Sequence, residues 1–154
     1  MTTELLWIMV LSAVPVLEQK AAIPLGLSLG YSDVLVYIVT LVGAIIPAPF
    51  IMLFIPKLFE FLKRFDKLGR LVHWYEKSAM KRGKNIVKYE LLGLLMFVAF
   101  PLPLTGVWTG SAVAAMLKLD FKKAFPTVIV GAMICGLILM LVFKGAVSLF
   151  WIHG

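Results

Sequence analysis

Leu17-Glu18-Gln19-Lys20-Ala21-Ala22-Ile23-Pro24-Leu25-Gly26 is the stretch on which the reading of this chain turns. It sets a carboxylate, an amide and an ammonium group inside Leu5–Ser32, a run of 28 residues with no other charge. A charge at the centre of a bilayer costs on the order of 2.5–3.5 kcal/mol by insertion scales. Such groups are kept where they face protein or water, and there they handle substrate or protons. A straight helix over Leu5–Ser32 would be about 42 Å long, more than the roughly 30 Å of a hydrocarbon core. Pro15 and Pro24 each remove a helical hydrogen bond. The pieces on either side, Leu5–Leu17 and Ala21–Tyr31, are each shorter than the roughly 17–25 residues a span needs. The remaining solution is a re-entrant hairpin of two half-depth helices, its tip at the polar stretch and buried in protein or facing a wet cavity.

Working outward, the 154 residues are 62% hydrophobic with a mean hydropathy of +1.01, against about 45–50% apolar in soluble domains. Val34–Pro56 and Leu91–Leu117 are free of charge and long enough to cross a bilayer. The chain therefore reads as an all-α integral membrane protein of one domain, residues 1–154. It divides into a first repeat (1–56), a basic cytoplasmic loop with an amphipathic helix (57–90) and a second repeat (91–154). Met1–Glu4 lacks the basic start of a cleavable leader, so the first apolar region is expected to be retained. The net charge of +7 would suggest nucleic acid in a soluble protein. Here the basic residues flank apolar segments, as topology requires, and no nucleic-acid partner is expected.

The second apolar region mirrors the first. Phe100-Pro101-Leu102-Pro103-Leu104-Thr105-Gly106 breaks Leu91–Leu117 near mid-length. A GxxxG follows in each region, Gly26–Gly30 and Gly106–Gly110, and reads as a close-packing face. A turn with an aspartate comes next, at Asp33 and at Asp120, then a span: Val34–Pro56, kinked at Pro47-Ala48-Pro49, and Ala124–Phe143. Asp33 and Asp120 are 87 apart, while Gly43/Gly131 and Pro15/Pro103 are 88 apart; the two GxxxG motifs are 80 apart. Each repeat is thus expected to be a re-entrant helical hairpin plus one transmembrane helix.

Charge fixes the sides. Lys57–Glu90 holds ten of the fifteen basic residues. If the second region is re-entrant, Lys118, Lys122 and Lys123 join them, and thirteen of fifteen share one face. The basic loop is then cytoplasmic, both termini are external, and the repeats are inverted in a multi-pass cell-membrane protein. Leu58, Phe61, Leu62, Phe65, Leu68 and Val72 recur at helical spacing opposite Lys57, Glu60, Lys63, Arg64, Lys67 and Arg70. That face reads either as recognition of anionic headgroups or as a topology signal with a solvated side.

The groups able to do chemistry lie in the two breaks. Glu18 is the candidate proton carrier, with Lys20 as counter-charge or anion site. Two residues apart, they would not face each other on an ideal helix, so they meet only if the tip is unwound, which Pro24 favours. Pro24 and Gly26 complete the first break; Pro101, Pro103, Thr105 and Gly106 offer backbone carbonyls, one hydroxyl and close approach. Trp108 either lines the cavity or packs. Trp7 and Trp151 read as interfacial anchors. Cys135 reads as a small packing residue. His73 and His153 have no metal-ligand spacing, and no nucleotide-binding or hydrolase motif occurs, so neither an enzyme nor a cofactor is expected.

Glu18-x-Lys20-x-Ala22-Ile23-Pro24-x-Gly26 and Pro101-Leu102-Pro103-x-Thr105-Gly106-x-Trp108-Thr109-Gly110 together resemble the small multidrug export protein family, related to the DedA/VTT superfamily. The resemblance implies two re-entrant hairpins facing each other, and proton-linked transport of lipids or amphipathic molecules. Lys20 departs from the usual arginine of the first motif. The arginines that DedA proteins carry near their second hairpin have no counterpart between Leu91 and Leu117. The expected function is a small membrane transporter working through a midplane site, with membrane lipids, protons and a small lipid or amphipathic substrate as partners. Export of lipophilic cations and a non-transporting membrane organiser are the alternatives. One chain has little material to enclose a pathway, so a homodimer is expected.

Overall fold

The computed structural model describes residues 3–62, 87–103 and 105–153. Among these, every regular element is a helix: α1 (Thr3–Ala13), α2 (Glu18–Ser28), α3 (Asp33–Ile45), α4 (Pro47–Leu62), α5 (Val87–Ala99), α6 (Val107–Met116) and α7 (Phe121–His153). Two helices are long and apolar enough to cross a membrane, Asp33–Leu58 and Phe121–Leu149, each with mean hydropathy 2.5. Only 28% and 33% of their most apolar stretches are buried by protein. Trp7, Phe50, Phe54 and Leu141 point outward, each more than 60% exposed. An apolar surface of this extent is one solvated by lipid, not by water.

The two broken regions both fold as pairs of short helices joined by a turn. Pro15 ends α1, because it has no N–H to continue the ladder and disfavours the helical region for Val14. The turn is therefore 14–17, and Glu18 opens α2 instead of lying in an unwound tip. Pro24 sits inside α2 without breaking it, which corrects the role expected of it. In the second region the break falls where Pro101 and Pro103 place it, between α5 and α6.

The long helices depart from the predicted bounds in length only. The break at Pro47 is mild: Ile46 keeps helical angles (φ −49°, ψ −47°), and the missing N–H of Pro47 interrupts one rung. Helix α4 continues past Pro56 to Leu62, which takes in the start of the predicted amphipathic helix; Lys63–Ile86 lie outside the described residues. Helix α7 starts at Phe121 and runs beyond Lys144, longer than the predicted Ala124–Phe143.

The two long helices lie antiparallel. Val36 packs with Met140, the Tyr37 hydroxyl donates to the Met133 carbonyl at 2.9 Å, and Met52 and Pro56 share a groove with Phe121 and Ala124. Asp33 and Lys144 therefore mark one end of the bundle, and Pro56 and Phe121 the other, about 35 Å away along a helix of 1.5 Å rise. Helix α2 runs to the first end and α6 to the second, so the hairpin tips meet between them.

Local construction recurs at one offset. Helix α2 ends in a Schellman motif: the Gly30 N–H bonds the Leu27 carbonyl and the Tyr31 N–H bonds Gly26, with Gly30 at φ +81°. Helix α6 ends identically, with Lys118 to Ala115 and Leu119 to Ala114, and Lys118 at φ +53°. Gly30 and Lys118 are 88 apart in sequence. Gly43 lets α3 touch the backbone of α1 at Met9, and Gly131, 88 residues later, lets α7 touch α5 at Val98 and Leu95. The 80-residue offset of the two GxxxG motifs is thus not structural. Gly30 is a helix stop with open space about it, and Gly106 lies before its helix. Between the halves the core is built largely of small residues, among them Ala44, Ala48, Ala114, Ala124 and Ala132, with Val98 and Val128. Small side chains let helices approach closely where lipid removes the hydrophobic drive to associate.

Gly43→Ala would push a methyl group into the Met9 carbonyl, and it should destabilise the fold by about 1–3 kcal/mol. Gly93→Ala, which meets open space on α5, should instead stabilise by about 0.5–1 kcal/mol. Thermal unfolding in detergent compares the two directly.

Candidate functional site

The site is the junction of the two tips, and each tip supplies what the other's helix ends lack. The first N–H groups of a helix and its last carbonyls have no partner of their own. Helix α6 begins after Gly106 without a side-chain cap of its own. The Glu18 carboxylate fills that place: its Oε1 accepts from the Trp108 backbone N–H at 2.9 Å. In return the Trp108 indole N–H donates to the carbonyl of Ala13, the last residue of α1, at 2.9 Å. Lys20 makes the third link, donating to the Thr105 carbonyl while its ammonium lies 3.5 Å from Glu18 Oε2. One carboxylate, one ammonium and one indole thus tie four helix ends or turns together.

Backbone geometry makes the junction possible. Val16 (φ +74°) and Glu18 (φ +42°) both adopt the left-handed region. Each costs on the order of 1–2 kcal/mol for a residue with a side chain. The turn at Glu18 swings its carboxylate off the direction an ordinary first-turn residue would take, which brings it to Lys20 across a two-residue spacing. The sequence reading put this on Pro24; the left-handed turn at 16–18 is the cause. On the other side, Gly106 (φ +142°) leaves no side chain where the carboxylate lies, and a Cβ there would overlap Oε2.

Burial makes these contacts count. Glu18 is 5% exposed, and it faces a cavity of about 240 Å3 whose wall includes Pro15, Val16, Thr105, Trp108, Thr109 and Ala112. Apart from the carboxylate and two threonines the lining is apolar. A charge-assisted bond is roughly twice as strong as a neutral one, and the positive end of α6 adds to it. The arrangement can hold one negative charge away from water. It can also release its grip when that charge is neutralised.

Most predicted site residues converge here: Glu18, Lys20, Thr105, Gly106 and Trp108 share the junction, and Pro101 and Pro103 shape the turn that delivers them. The Thr105 hydroxyl is spent on that turn, donating to the Phe100 and Leu102 carbonyls, so its contribution to the site is the main-chain oxygen. Pro24 and Gly26 do not reach the cavity: Pro24 lies within α2, and Gly26 packs on Val36 of α3. Sequence reasoning missed Ala13, whose role is a carbonyl and leaves no trace in residue type. It also passed over Gln19, 3% exposed and with no partner for Nε2, and Ser111, fully buried with no partner for Oγ. Both lie within a turn of the junction residues, and the uncharged amide of Gln19 inside the polar stretch was the available signal.

Gly106→Ala should expel the carboxylate and unlock the junction, costing about 2–3 kcal/mol for the displaced buried charge and the strained backbone. Thermal unfolding checks this, and Trp108→Phe, which keeps the N–H bonded to Glu18 but leaves the Ala13 carbonyl without its indole donor, should cost about 1–3 kcal/mol.

Comparison with known proteins returns one family. Neither the curated proteins nor the solved structures hold a match to the chain. A sequence model of the family described as "Putative small multi-drug export protein" matches residues 18–138, a stretch that opens on Glu18, runs through both halves of the junction and ends within α7. With most of its length so matched, the chain belongs to this family of small multidrug export proteins.

Proposed function

We propose that the protein is a proton-linked membrane transporter of a lipid or amphipathic substrate, with Glu18 as the proton site. The observation that carries this is the Glu18 carboxylate, buried between two hairpin tips and serving at once as cap of α6 and partner of Lys20. Protonating it removes the charge from both contacts together. A neutral carboxyl keeps at most an ordinary hydrogen bond to the Trp108 N–H and no attraction for Lys20. The tips part more easily, and the N-terminus of α6 and the Lys20 ammonium become available to a polar group of the substrate. Deprotonation restores the lock. Proton occupancy and access are thereby coupled through one side chain.

In this reading the two hairpins are re-entrant and the halves form inverted repeats. Arms of 11 and 10 residues in α2 and α6 span about half a bilayer, and the recurrence at 88 residues with antiparallel long helices supports the inversion. The Pro101–Gly106 turn is the gate opposite Glu18. The basic loop is cytoplasmic, the termini are external, and two copies of the chain complete the pathway. The related DedA/VTT superfamily, to which the motifs are similar, favours a lipid cargo.

A second reading has its own observation. A cavity with apolar walls, one carboxylate and an indole suits a lipophilic cation, which would replace Lys20 as the partner of Glu18. The family description favours such a cargo.

Purified protein in liposomes with an internal pH dye and a fluorescent phospholipid or polyprenyl-phosphate analogue tests both. Wild-type protein should move the analogue with a proton flux that follows the imposed pH gradient, and Glu18→Gln should lower both by at least about tenfold while the protein stays folded. Proton flux evoked by ethidium and not by lipid would establish the second reading. Flux that survives Glu18→Gln removes Glu18 as the proton site.

A further inference from the structure

A second charged site lies at the far end of α2, about 16 Å along the helix axis from Glu18. There a groove of about 390 Å3 runs between the α2–α3 turn and α7, lined by Leu27, Tyr31, Asp33, Phe143, Lys144 and Val147 among others. Its apolar wall comes from Leu27, Phe143 and Val147. Its polar edge is Asp33 and Lys144, with the Lys144 ammonium donating to Asp33 Oδ2, together with Ser148 and the Tyr31 hydroxyl, which donates to Glu4. Both side chains are about half exposed, at 48% for Asp33 and 56% for Lys144. Nothing in the tip junction uses either of them.

The position and the charge pattern select a ligand class. Asp33 opens one long apolar helix, and it marks one end of the roughly 35 Å rod. At that level a side groove on a lipid-covered surface meets headgroups. The lining itself carries one acid and one base side by side, and the Glu4 carboxylate adds a second acid across Tyr31, which disfavours an anionic headgroup further. A headgroup with net charge gains one contact and suffers one repulsion there. A zwitterionic headgroup gains two: its phosphate faces Lys144, its ammonium faces Asp33, and a partly solvated ion pair is exchanged for two. The apolar wall then takes the upper part of an acyl chain.

We propose that this groove is a binding site for a zwitterionic phospholipid, held by Lys144 at the phosphate and Asp33 at the ammonium, and separate from the Glu18 site.

Native mass spectrometry of the full chain, supplied with equal phosphatidylethanolamine and phosphatidylglycerol, tests it. Wild type should retain phosphatidylethanolamine over phosphatidylglycerol by roughly threefold or more, the scale of one exposed ion pair. Asp33→Asn should remove the preference. The exchanged pair, Asp33→Lys with Lys144→Asp, restores a salt bridge between α3 and α7 and so keeps any stapling role; but with the acyl chain held against Phe143 and Val147, the phosphate next to it stays on the α7 side and now meets an acid, so the preference should also be lost. Glu18→Gln should keep it, since the two sites are distinct. Equal retention of the two lipids, a preference for phosphatidylglycerol, or a preference that survives the exchange would each overturn the proposal and leave the pair as a staple between helices.

Discussion

A helix that begins inside a bundle, away from water, has N–H groups that neither solvent nor its own carbonyls can satisfy. That constraint governs this structure. Helix α6 begins at such a place, and α1 ends at one. Each unmet group would cost about 1–3 kcal/mol when buried. The chain answers by pairing the defects: the Glu18 carboxylate closes the start of α6, and the Trp108 indole closes the end of α1. The opposite tip thus supplies what the end of each short helix lacks. The same logic explains why the charges are tolerated. Lys20 and Glu18 offset one another, and Lys20 also satisfies a carbonyl of the opposite turn.

Around this junction the packing is of the kind expected where lipid supplies no hydrophobic drive. The core between the halves is built mostly of alanine and valine, and glycine stands where one backbone meets another. Close approach is what holds the arms of the hairpins against the long helices. It also fixes the depth of the tips, since α1 is seated on α3 at Gly43 and α5 on α7 at Gly131. A serine adds to the first of these seats, with Ser12 donating to the Thr40 carbonyl at 2.5 Å.

Much of this was legible in the residues. Charge-free runs revealed the long helices, and run length with Pro15, Pro101 and Pro103 revealed the two pairs of short ones. Glu18 and Lys20 stood out because charge is rare in such surroundings, and Gly106 and Trp108 because they lay in the opposing break. Three things were not legible, for physical reasons. A backbone carbonyl is carried by every residue, so that of Ala13 gave no signal, whereas that of Thr105 was legible because it lies in the proline break. A left-handed valine or glutamate is imposed by tertiary contacts against local preference, so Val16 and Glu18 gave no signal of it. Glycine spacing could not distinguish packing from termination: Gly26 packs on Val36, whereas Gly30 stops a helix. Pro24 misled for another reason: as the seventh residue of α2 it removes one rung, to the Lys20 carbonyl, and the helix continues through it.

The reciprocal closure of α1 and α6 has a consequence for water. While the tips are joined, both helix ends are sealed and the cavity beside them is walled chiefly by carbon. Parting them would expose a positive helix start, a negative helix end, a carboxyl and an ammonium at once, in one small volume. Such a cluster is hydrophilic enough to draw in solvent. Opening and wetting would therefore be a single event, and the closed junction resists hydration through three hydrogen bonds and one pair of opposite charges.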